Sequence, residues 1–288
     1  VGLQFEIVNL MQNIRIIPRL DIKGPNLVKG IHLEGLRVLG DPVEFAKYYY
    51  ENGADELIYQ DVVASLYERN SLHELVSKTA KEIFIPFTVG GGLRTIEDIR
   101  SMLRAGADKV SINTAAIKEP SFIKKAANIS VAIEAIKNSD GNYYAYTDNG
   151  REETWKDVVN WARSVEELGA GEIIITSVDK EGTARGFDID LIKKITSAVS
   201  IPVIAHGGAS DLQNIEEAII EGDASALAIA SIFHYETIKK VKGTMGNNYE
   251  GNSAFRDSGK EFSIINTCDI TKVKEYLKGK SIPCRPIN

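Results

Sequence analysis

The sequence predicts an α/β protein, specifically a single (β/α)8 TIM barrel with an internal half-barrel repeat. Short apolar runs alternate with segments of helical periodicity eight times along the 288 residues, and this alternation is typical of parallel barrels. Motifs also recur at one constant spacing, which indicates two fused copies of one half. We expect one domain over residues 1–288, with an N-terminal extension at 1–13 and an enlarged loop after the eighth strand at 241–262.

The predicted strands are short apolar runs, and most of them end in a polar residue. Asp41-Pro42 gives the first helix a cap and a first turn, and Asp148-Asn149-Gly150 predicts the turn of a small hairpin at the barrel mouth. The strands are expected at 14–20, 57–59, 83–89, 109–112, 129–133, 173–175, from 201 onward and at 226–229. The helices are expected near 43–49, 71–81, 96–105, 122–127, 155–168 and 189–197, up to residue 220, and at 270–278.

Three motifs of the first half return 116 residues later in the second half, as the spacing of the central pair shows (207 − 91 = 116). Each motif contains a glycine, and the corresponding pairs are Gly53 and Gly169, Gly91 and Gly207, and Gly106 and Gly222. Three separate motifs at one spacing are hard to produce by chance. The chain is therefore expected to be a duplicated half-barrel.

Glycine turns follow the third and the seventh predicted strand. Glycine lets backbone N–H groups approach an anion closely, and a helix N-terminus adds partial positive charge, so each turn predicts a phosphate-binding cradle. A single glycine turn of this kind is common and is weak evidence for phosphate binding. Two such turns suit a ligand with a phosphate at each end. The residues expected to build the cradles are Gly91, Gly92, Asn113 and Thr114 in the first half, and Gly207, Gly208, Ala230 and Ser231 in the second. Ordinary helix capping is the alternative role for Thr114 and Ser231.

Two carboxylates, Asp21 and Glu134, are expected at the ends of strands one and five, on opposite sides of the barrel mouth. Carboxylates that face one pocket can be held at different pKa values, so that one gives and the other takes a proton. The alternative is that each is a solvated acid at a strand end. His206, which precedes the second glycine pair, is expected to be structural because no partner is evident for it.

Charged residues stand at the beginning of four predicted strands. Side chains at these positions would gather into a ring at the bottom of the barrel, where two acids and two bases can neutralise one another. A structural layer of salt bridges is one interpretation of this ring, and a functional role is the other. The four residues are Arg15, Glu56, Lys109 and Glu172.

The composition of the chain argues against several classes of binding partner. The net charge of −6 argues against nucleic acid and against an anionic membrane surface as partner, and no apolar run approaches the ~20 residues of a membrane helix. Residues 1–13 lack the pattern of a signal peptide. Cys268 and Cys284 are expected to be free thiols. These features favour a cytoplasmic protein with a small-molecule substrate, and no residue cluster or motif indicates a metal or cofactor.

These motifs closely resemble the cyclase subunit of imidazole glycerol phosphate synthase, the HisF family of histidine biosynthesis. The resemblance extends from about residue 15 to residue 236. It is carried by the segments 15–23, 28–30, 40–42, 55–57, 87–92, 106–114, 169–177, 179–183 and 233–234.

The resemblance implies a reaction and a partner. A glutaminase subunit docks at the bottom of the barrel as a heterodimer, and its ammonia passes through the barrel to a ribulosyl-formimino-carboxamide ribonucleotide bisphosphate at the top. The products are imidazole glycerol phosphate and aminoimidazole carboxamide ribonucleotide.

The resemblance also assigns roles to single residues. It implies catalysis by Asp21 and Glu134, an ammonia gate formed by the four charged residues above, and a glutaminase contact at Asp108. It implies substrate or phosphate binding by Lys29, Gly91, Gly92, Asn113, Thr114, Thr176, Asp179, Gly182, Gly207, Gly208, Ala230 and Ser231.

Departures from the family pattern cluster around the chemistry and spare the gate. Glu134 stands where the family has an aspartate, Arg19 replaces a small residue beside the first catalytic strand end, and His206 replaces a small polar residue. An alternative function is therefore a paralogue that delivers glutaminase-derived ammonia to a sugar-amidating enzyme of surface-polysaccharide biosynthesis. The sister isomerase of the pathway is a third interpretation, but it needs no ammonia, and the complete gate argues against it.

Overall fold

The computed structural model describes residues 13–64, 72–126, 129–241 and 266–287. Most of the expected N-terminal extension (residues 1–12) and most of the expected loop after the eighth barrel strand (residues 242–265) lie outside the described residues. Within the described ranges, none of the helices has the length and apolar character needed to cross a lipid bilayer.

In the part of the chain that the structure describes, twelve strands form a single sheet. They are β1 (Arg15–Lys23), β2 (Asn26–Ile31), β3 (Glu34–Gly40), β4 (Leu57–Asp61), β5 (Phe87–Gly90), β6 (Lys109–Ile112), β7 (Ile129–Lys137), β8 (Tyr143–Thr147), β9 (Glu152–Asp157), β10 (Glu172–Ser177), β11 (Val203–His206) and β12 (Ala226–Ile229). Eight of them pair in parallel in the order β1, β4, β5, β6, β7, β10, β11 and β12. Because β12 also pairs with β1, the barrel is closed, and the predicted fold class is confirmed.

Helices occupy the connections between the barrel strands. They are α1 (Pro42–Glu51), α2 (Leu72–Thr79), α3 (Ile96–Ala105), α4 (Thr114–Lys118), α5 (Ser121–Lys125), α6 (Val158–Glu167), α7 (Ile189–Thr196), α8 (Leu212–Ile220), α9 (Ser231–Lys240) and α10 (Ile270–Gly279). Most helices begin at a side chain that accepts a hydrogen bond from the first turn, the usual N-cap. These capping residues are Asp41, Thr95, Asp157, Asp188, Asp211 and Asp269.

Four predicted boundaries were wrong. The strands expected to end at residues 20 and 133 continue to Lys23 and Lys137, because their ends pair antiparallel with β2 and β8. The expected helix at 155–168 begins at Val158, because the residues before it pair with β8 as the strand β9 and the Asp157 side chain caps the helix. The expected strand at 83–89 begins at Phe87. The backbone N–H of Ile83 instead donates to Thr79 in the turn that follows α2.

The hairpin formed by β2 and β3 was not predicted. It continues β1 as an antiparallel extension above the barrel. His32 and Leu33 form its turn with φ values of 52° and 61°, the positive values that a two-residue hairpin turn of type I′ requires. Asn-Gly or Asp-Gly usually occupies these two positions, so the sequence lacked the ordinary signal for this hairpin.

Side chains fill the barrel interior in three levels. The charged residues at the strand starts form the lowest level, at the bottom of the barrel. A buried apolar level above them is built from Ile17, Ile58, Ile174 and Ile204 together with alanines of β12. The highest level is polar and lies at the carboxyl ends of the strands, where barrel enzymes place their chemistry.

Candidate active site at the carboxyl end of the barrel

The two candidate catalytic carboxylates face each other across the barrel. Asp21 lies in β1 and Glu134 in β7, and three strands separate β1 from β7 in either direction around the closed sheet. Both side chains are buried, with 1% and 8% of their surface exposed. The structure therefore places both acids in the interior and not on a solvated rim.

Asp21 lies between two cations. The Nζ of Lys29 is 3.1 Å from its Oδ2, and the Nε of Arg19 is 3.1 Å from its Oδ1. Burial by itself would raise the pKa of Asp21, but the attraction of Lys29 and Arg19 outweighs it and holds the pKa well below its ordinary value. Asp21 is consequently an ionised carboxylate throughout the physiological pH range.

Lys29 connects the unpredicted hairpin to the loop after β10. Its ammonium group also pairs with the carboxylate of Glu181, whose other oxygen accepts a hydrogen bond from the backbone of Leu33. The backbone N–H of His32 donates to the Glu181 carbonyl at 2.9 Å. Both members of the Lys29–Glu181 pair are buried, so the hairpin is fixed over one side of the barrel mouth.

Glu181 is a site residue that sequence reasoning missed. It lies in the segment 179–183, within which the resemblance assigns roles only to Asp179 and Gly182. A buried glutamate beside a buried lysine can be recognised only once the fold brings β2 and the loop after β10 together.

Glu134 has a different electrostatic environment. Burial raises the pKa of its carboxyl to about 7, and the backbone N–H of Gly150, 2.9 Å from Oε2, and the charge of Arg19 offset only part of this effect. Gly150 ends the hairpin turn predicted between β8 and β9, and Asp148 of that turn also raises the pKa. Glu134 can therefore exchange a proton near neutral pH.

The first cradle lies in the same cavity as Glu134. Gly91 and Gly92 adopt φ values of 99° and 70°, and a Cβ at Gly91 would collide with the backbone of Asp61. These glycines let the backbone turn directly over β4. The cavity has a volume of about 310 Å³, and its lining includes both glycines, Asn113, Thr114 and Glu134, together with Arg94 and Lys118.

Two helix N-termini adjoin the first cradle, that of α3, which follows the glycines, and that of α4, which begins at the predicted residues Asn113 and Thr114. Thr95 and Asp98 cap α3 with a reciprocal pair of hydrogen bonds, which satisfies two of its free N–H groups. The neighbouring helix α4 begins after Asn113, whose side chain makes no capping bond and donates to the Tyr146 carbonyl at 3.0 Å.

The second cradle repeats this arrangement in the other half. Gly207 and Gly208 have φ values of 96° and 98°, and α8, which follows them, is capped by Asp211. The helix α9 begins after Ala230, which has no side chain that can cap it. The backbone angles of Ala230 (−118°, −79°) nearly equal those of Asn113 (−123°, −79°), as a duplicated half-barrel requires.

The two cradles differ in the space that they enclose. The second cavity has a volume of only about 10 Å³. It is lined by Gly207, Gly208, Ala230 and Ser231, and also by Gly182, Glu181 and His206. The imidazole of His206, whose counterpart in the first half is Gly90, takes up part of the second cavity.

The four charged residues at the bottom form a closed ring. Arg15 contacts Glu56 at 2.6 Å and Glu172 at 3.1 Å, and Lys109 contacts the same two acids at 2.8 and 2.7 Å. Ser130 adds a hydrogen bond to Glu172 at 2.6 Å. Burial would raise the pKa of Glu172, but Lys109 and the other partners lower it overall. The ring is therefore charged and closes the bottom of the barrel.

Three predicted site residues have partners outside the cradles. Thr176 is buried in β10 and accepts a hydrogen bond from Arg19 Nη1 at 3.3 Å. Asp179 is exposed, and its carboxylate accepts the backbone N–H of Lys137 at 2.9 Å. Asp108 is exposed just before β6, where its carboxylate accepts the backbone N–H of Phe87 at 2.9 Å. Thr176 thus belongs to the charged cluster around Asp21, whereas Asp179 does not reach it.

Residues 15–239 match the family described as histidine biosynthesis protein. The chain belongs to this family. Two relatives are each named imidazole glycerol phosphate synthase subunit HisF. One, from Legionella pneumophila, is 57% identical over 209 residues that cover 70% of this chain and 99% of the relative. The other, from Alkaliphilus metalliredigens, is 47% identical over 230 residues that cover 78% and 91%.

Membership of the histidine biosynthesis family confirms the resemblance found in the sequence. The match includes every residue of the charged ring, both cradles and both carboxylates. Both relatives are named as subunits, which describes each of them as one part of a larger enzyme. Residues 240–287, which include α10, lie beyond the matched segment.

Proposed function

We propose that the chain is the cyclase subunit of imidazole glycerol phosphate synthase. In this role it uses ammonia to convert the ribulosyl-formimino-carboxamide ribonucleotide into imidazole glycerol phosphate and aminoimidazole carboxamide ribonucleotide. The identity to two proteins of that name supports the proposal. The observation that carries it is the pair Asp21 and Glu134, which are buried on opposite sides of the mouth between two cradles for phosphate.

The two carboxylates have complementary protonation states. Asp21 is held ionised by Lys29 and Arg19, whereas burial keeps Glu134 close to half-protonated near pH 7. Divergent pKa values in a pair of titratable groups indicate which is the acid and which is the base. We assign proton donation to Glu134 and proton acceptance to Asp21 in the addition of ammonia and the closure of the imidazole ring.

The barrel interior supports a route for ammonia from a glutaminase partner. The route would begin at the charged ring, continue through the apolar level around Ile17 and Ile174, and end at the polar level around Thr176. Neutral ammonia can cross an apolar level that excludes ions. The proposal places the partner at the bottom as a heterodimer, with Asp108 at the interface, and requires the ring to open for passage. It also places the enzyme in the cytoplasm.

Arg19 favours a second candidate function. Its guanidinium pairs with Asp21 of β1 and donates a hydrogen bond to Thr176 of β10. A base whose pKa is held far below the working pH is a weak proton acceptor. The alternative is therefore a paralogue in which the ring and the interior are used but the cyclase chemistry is not. Such a protein would deliver ammonia to a sugar-amidating enzyme of surface-polysaccharide biosynthesis.

An assay with free ammonia separates these two functions. The purified chain would be given the ribulosyl-formimino substrate and an ammonium salt at alkaline pH, without any glutaminase, and the two products would be followed by chromatography. Formation of both products, abolished in Asp21→Asn, is the result expected for the cyclase. A folded protein that forms neither product would reject the cyclase and leave ammonia delivery as the better account.

A further inference from the structure

His206 occupies an unusual position in the second cradle. It ends β11 directly before Gly207, and only 4% of its surface is exposed. Its Nδ1 lies 2.9 Å from the carbonyl oxygen of Ala228. Among the described residues no donor or acceptor lies within hydrogen-bonding distance of its Nε2. This buried, unpartnered nitrogen belongs to the lining of the cradle in front of α9.

The contact with Ala228 determines which ring nitrogen carries the proton. A carbonyl oxygen can only accept a hydrogen bond, so Nδ1 must be the donor. In a neutral imidazole the other nitrogen then has a free lone pair. Nε2 is consequently an acceptor in a cradle whose backbone N–H groups, those of the glycine turn and of the α9 terminus, are donors suited to an anion.

The surroundings keep the imidazole neutral in spite of two nearby acids. Burial lowers the pKa of His206 well below its ordinary value, and Arg19 of β1 and Lys29 of β2 lower it further, whereas Asp21 raises it. Glu181, from the loop after β10, has a carboxylate oxygen 3.9 Å from Nε2. This oxygen is already paired with Lys29.

The duplicated half provides a comparison inside the same molecule. The spacing of 116 residues places Gly90 of the first half at the position of His206. Gly90 has no side chain, and the Oε1 of Gln60 lies where its Cβ would be, so the first cradle has no imidazole at this point. An effect of His206 on phosphate binding should therefore appear at the second cradle and not at the first.

We propose that His206 is a specificity-determining residue of the second cradle, where a phosphate monoester binds together with one proton held between Nε2 and a phosphate oxygen. Without that proton, the lone pair of Nε2 and an oxygen of the dianion would face each other as two acceptors. The proton comes from the monoanion at low pH and from solvent at high pH, and no bond other than the N–H or O–H bond changes. This inference rests on the proposed function only in taking a phosphate as the ligand.

The test is a calorimetric titration with glycerol 3-phosphate, a phosphate monoester whose second pKa is about 6. Titrations in buffers with different heats of ionisation give the number of protons taken up on binding. At pH 8 the wild-type chain should take up about one proton more than His206→Gln, a variant that keeps the polar side chain but cannot titrate. At pH 5 the wild-type chain itself should take up almost no proton, because the ligand brings the proton with it.

A second measurement uses the wild-type chain alone, so the test of the proposal does not depend on whether a variant folds. The affinity of the second cradle should fall about tenfold for each pH unit above the pKa of the ligand, as one linked proton requires. His206→Asn should lose this dependence.

Equal proton uptake by wild type and His206→Gln, an affinity that does not change with pH, or no binding of glycerol 3-phosphate would each overturn the proposal. A chain that shows proton-linked binding but no cyclase turnover would reject the proposed function and leave this inference intact.

Discussion

Arg19 and Asp21 form a buried ion pair two residues apart in β1, with the guanidinium Nε 3.1 Å from the carboxylate Oδ1. Successive side chains of a strand alternate between its faces, so residues 19 and 21 both point into the barrel. The guanidinium thereby contacts Asp21, the candidate catalytic base, from the side that faces the bottom of the barrel. Removing this one cation changes the chemistry of Asp21 and leaves the glycine turns of both cradles in place.

Arg19→Ala should raise the rate of the ammonium-driven reaction. Without the guanidinium the pKa of Asp21 moves upward toward its ordinary value, which makes it a better proton acceptor. Since proton transfer by a positioned group contributes about 100-fold or more, we expect an increase of roughly tenfold in kcat. Arg19→Lys, which keeps the positive charge, is the matched control and should remain near the wild-type rate. An unchanged or lower rate in Arg19→Ala would show that Arg19 does not restrain Asp21.

Glu134→Gln should stabilise the fold at alkaline pH. The pKa of Glu134 is raised from 4.5 to about 7 in the folded protein, so the folded state binds more protons than the unfolded state between these values. Its stability must then fall as the pH rises through this window. A tenfold change in proton affinity corresponds to about 1.4 kcal/mol, so the loss amounts to roughly 3 kcal/mol at pH 8.

Urea unfolding of wild type and Glu134→Gln at pH 4 and pH 8 measures this effect. The variant should gain up to roughly 3 kcal/mol relative to wild type at pH 8 and little at pH 4. If the free energy of unfolding differs between variant and wild type by the same amount at both pH values, Glu134 does not titrate in this range.

Gly91→Ala should disable the first cradle. The substitution introduces a Cβ against the backbone of Asp61 at a residue with φ of 99°, so the turn must move. We expect the affinity for a bisphosphate analogue to fall at least about tenfold. Gly169→Ala is the control, because Gly169 has φ of 94° but open space around its Cβ position. It should cost about 1 kcal/mol of stability and leave binding unchanged, and a similar loss of binding in both variants would refute the cradle.

Lys109→Met should weaken the fold without slowing the reaction with free ammonia. It removes two contacts of the charged ring and leaves Arg15 as the one cation of the ring that pairs with Glu56 and Glu172. Because Lys109 is 23% exposed, we expect a loss of roughly 2 kcal/mol, less than for a fully buried pair. Lys47→Met removes the exposed pair with Glu82 and should cost less than about 1 kcal/mol. A large loss of ammonium-driven turnover in Lys109→Met would contradict the separation of the ring from the active site.

The sequence predicted those parts of the structure that repeat or alternate. The eight-strand order followed from alternation, and the two glycine turns followed from the spacing of Gly91 and Gly207. The ring of charged residues could be predicted because side chains at the starts of the barrel strands come together at the bottom of the barrel. These features depend on local pattern and on the closure of one sheet.

The features that the sequence did not predict depend on contacts between distant segments. The partner of Lys29 is Glu181, 152 residues away, and no spacing rule connects the two. The hairpin turn at His32 lacks the Asn-Gly or Asp-Gly pair that usually indicates such a turn in a sequence. Only the geometry reveals that Thr95 and Asp98 cap α3, whereas no side chain caps α4 at the first cradle.

A crystal structure of Asp21→Asn with the ribulosyl-formimino substrate bound tests the central claim most directly. The account predicts one ligand that spans the mouth, with one phosphate at Gly91 and Gly92 and the other at Gly207 and Gly208. Its reacting carbons should lie between Asn at position 21 and Glu134. A ligand held at only one cradle, or with its reacting carbons away from Glu134, would contradict the account.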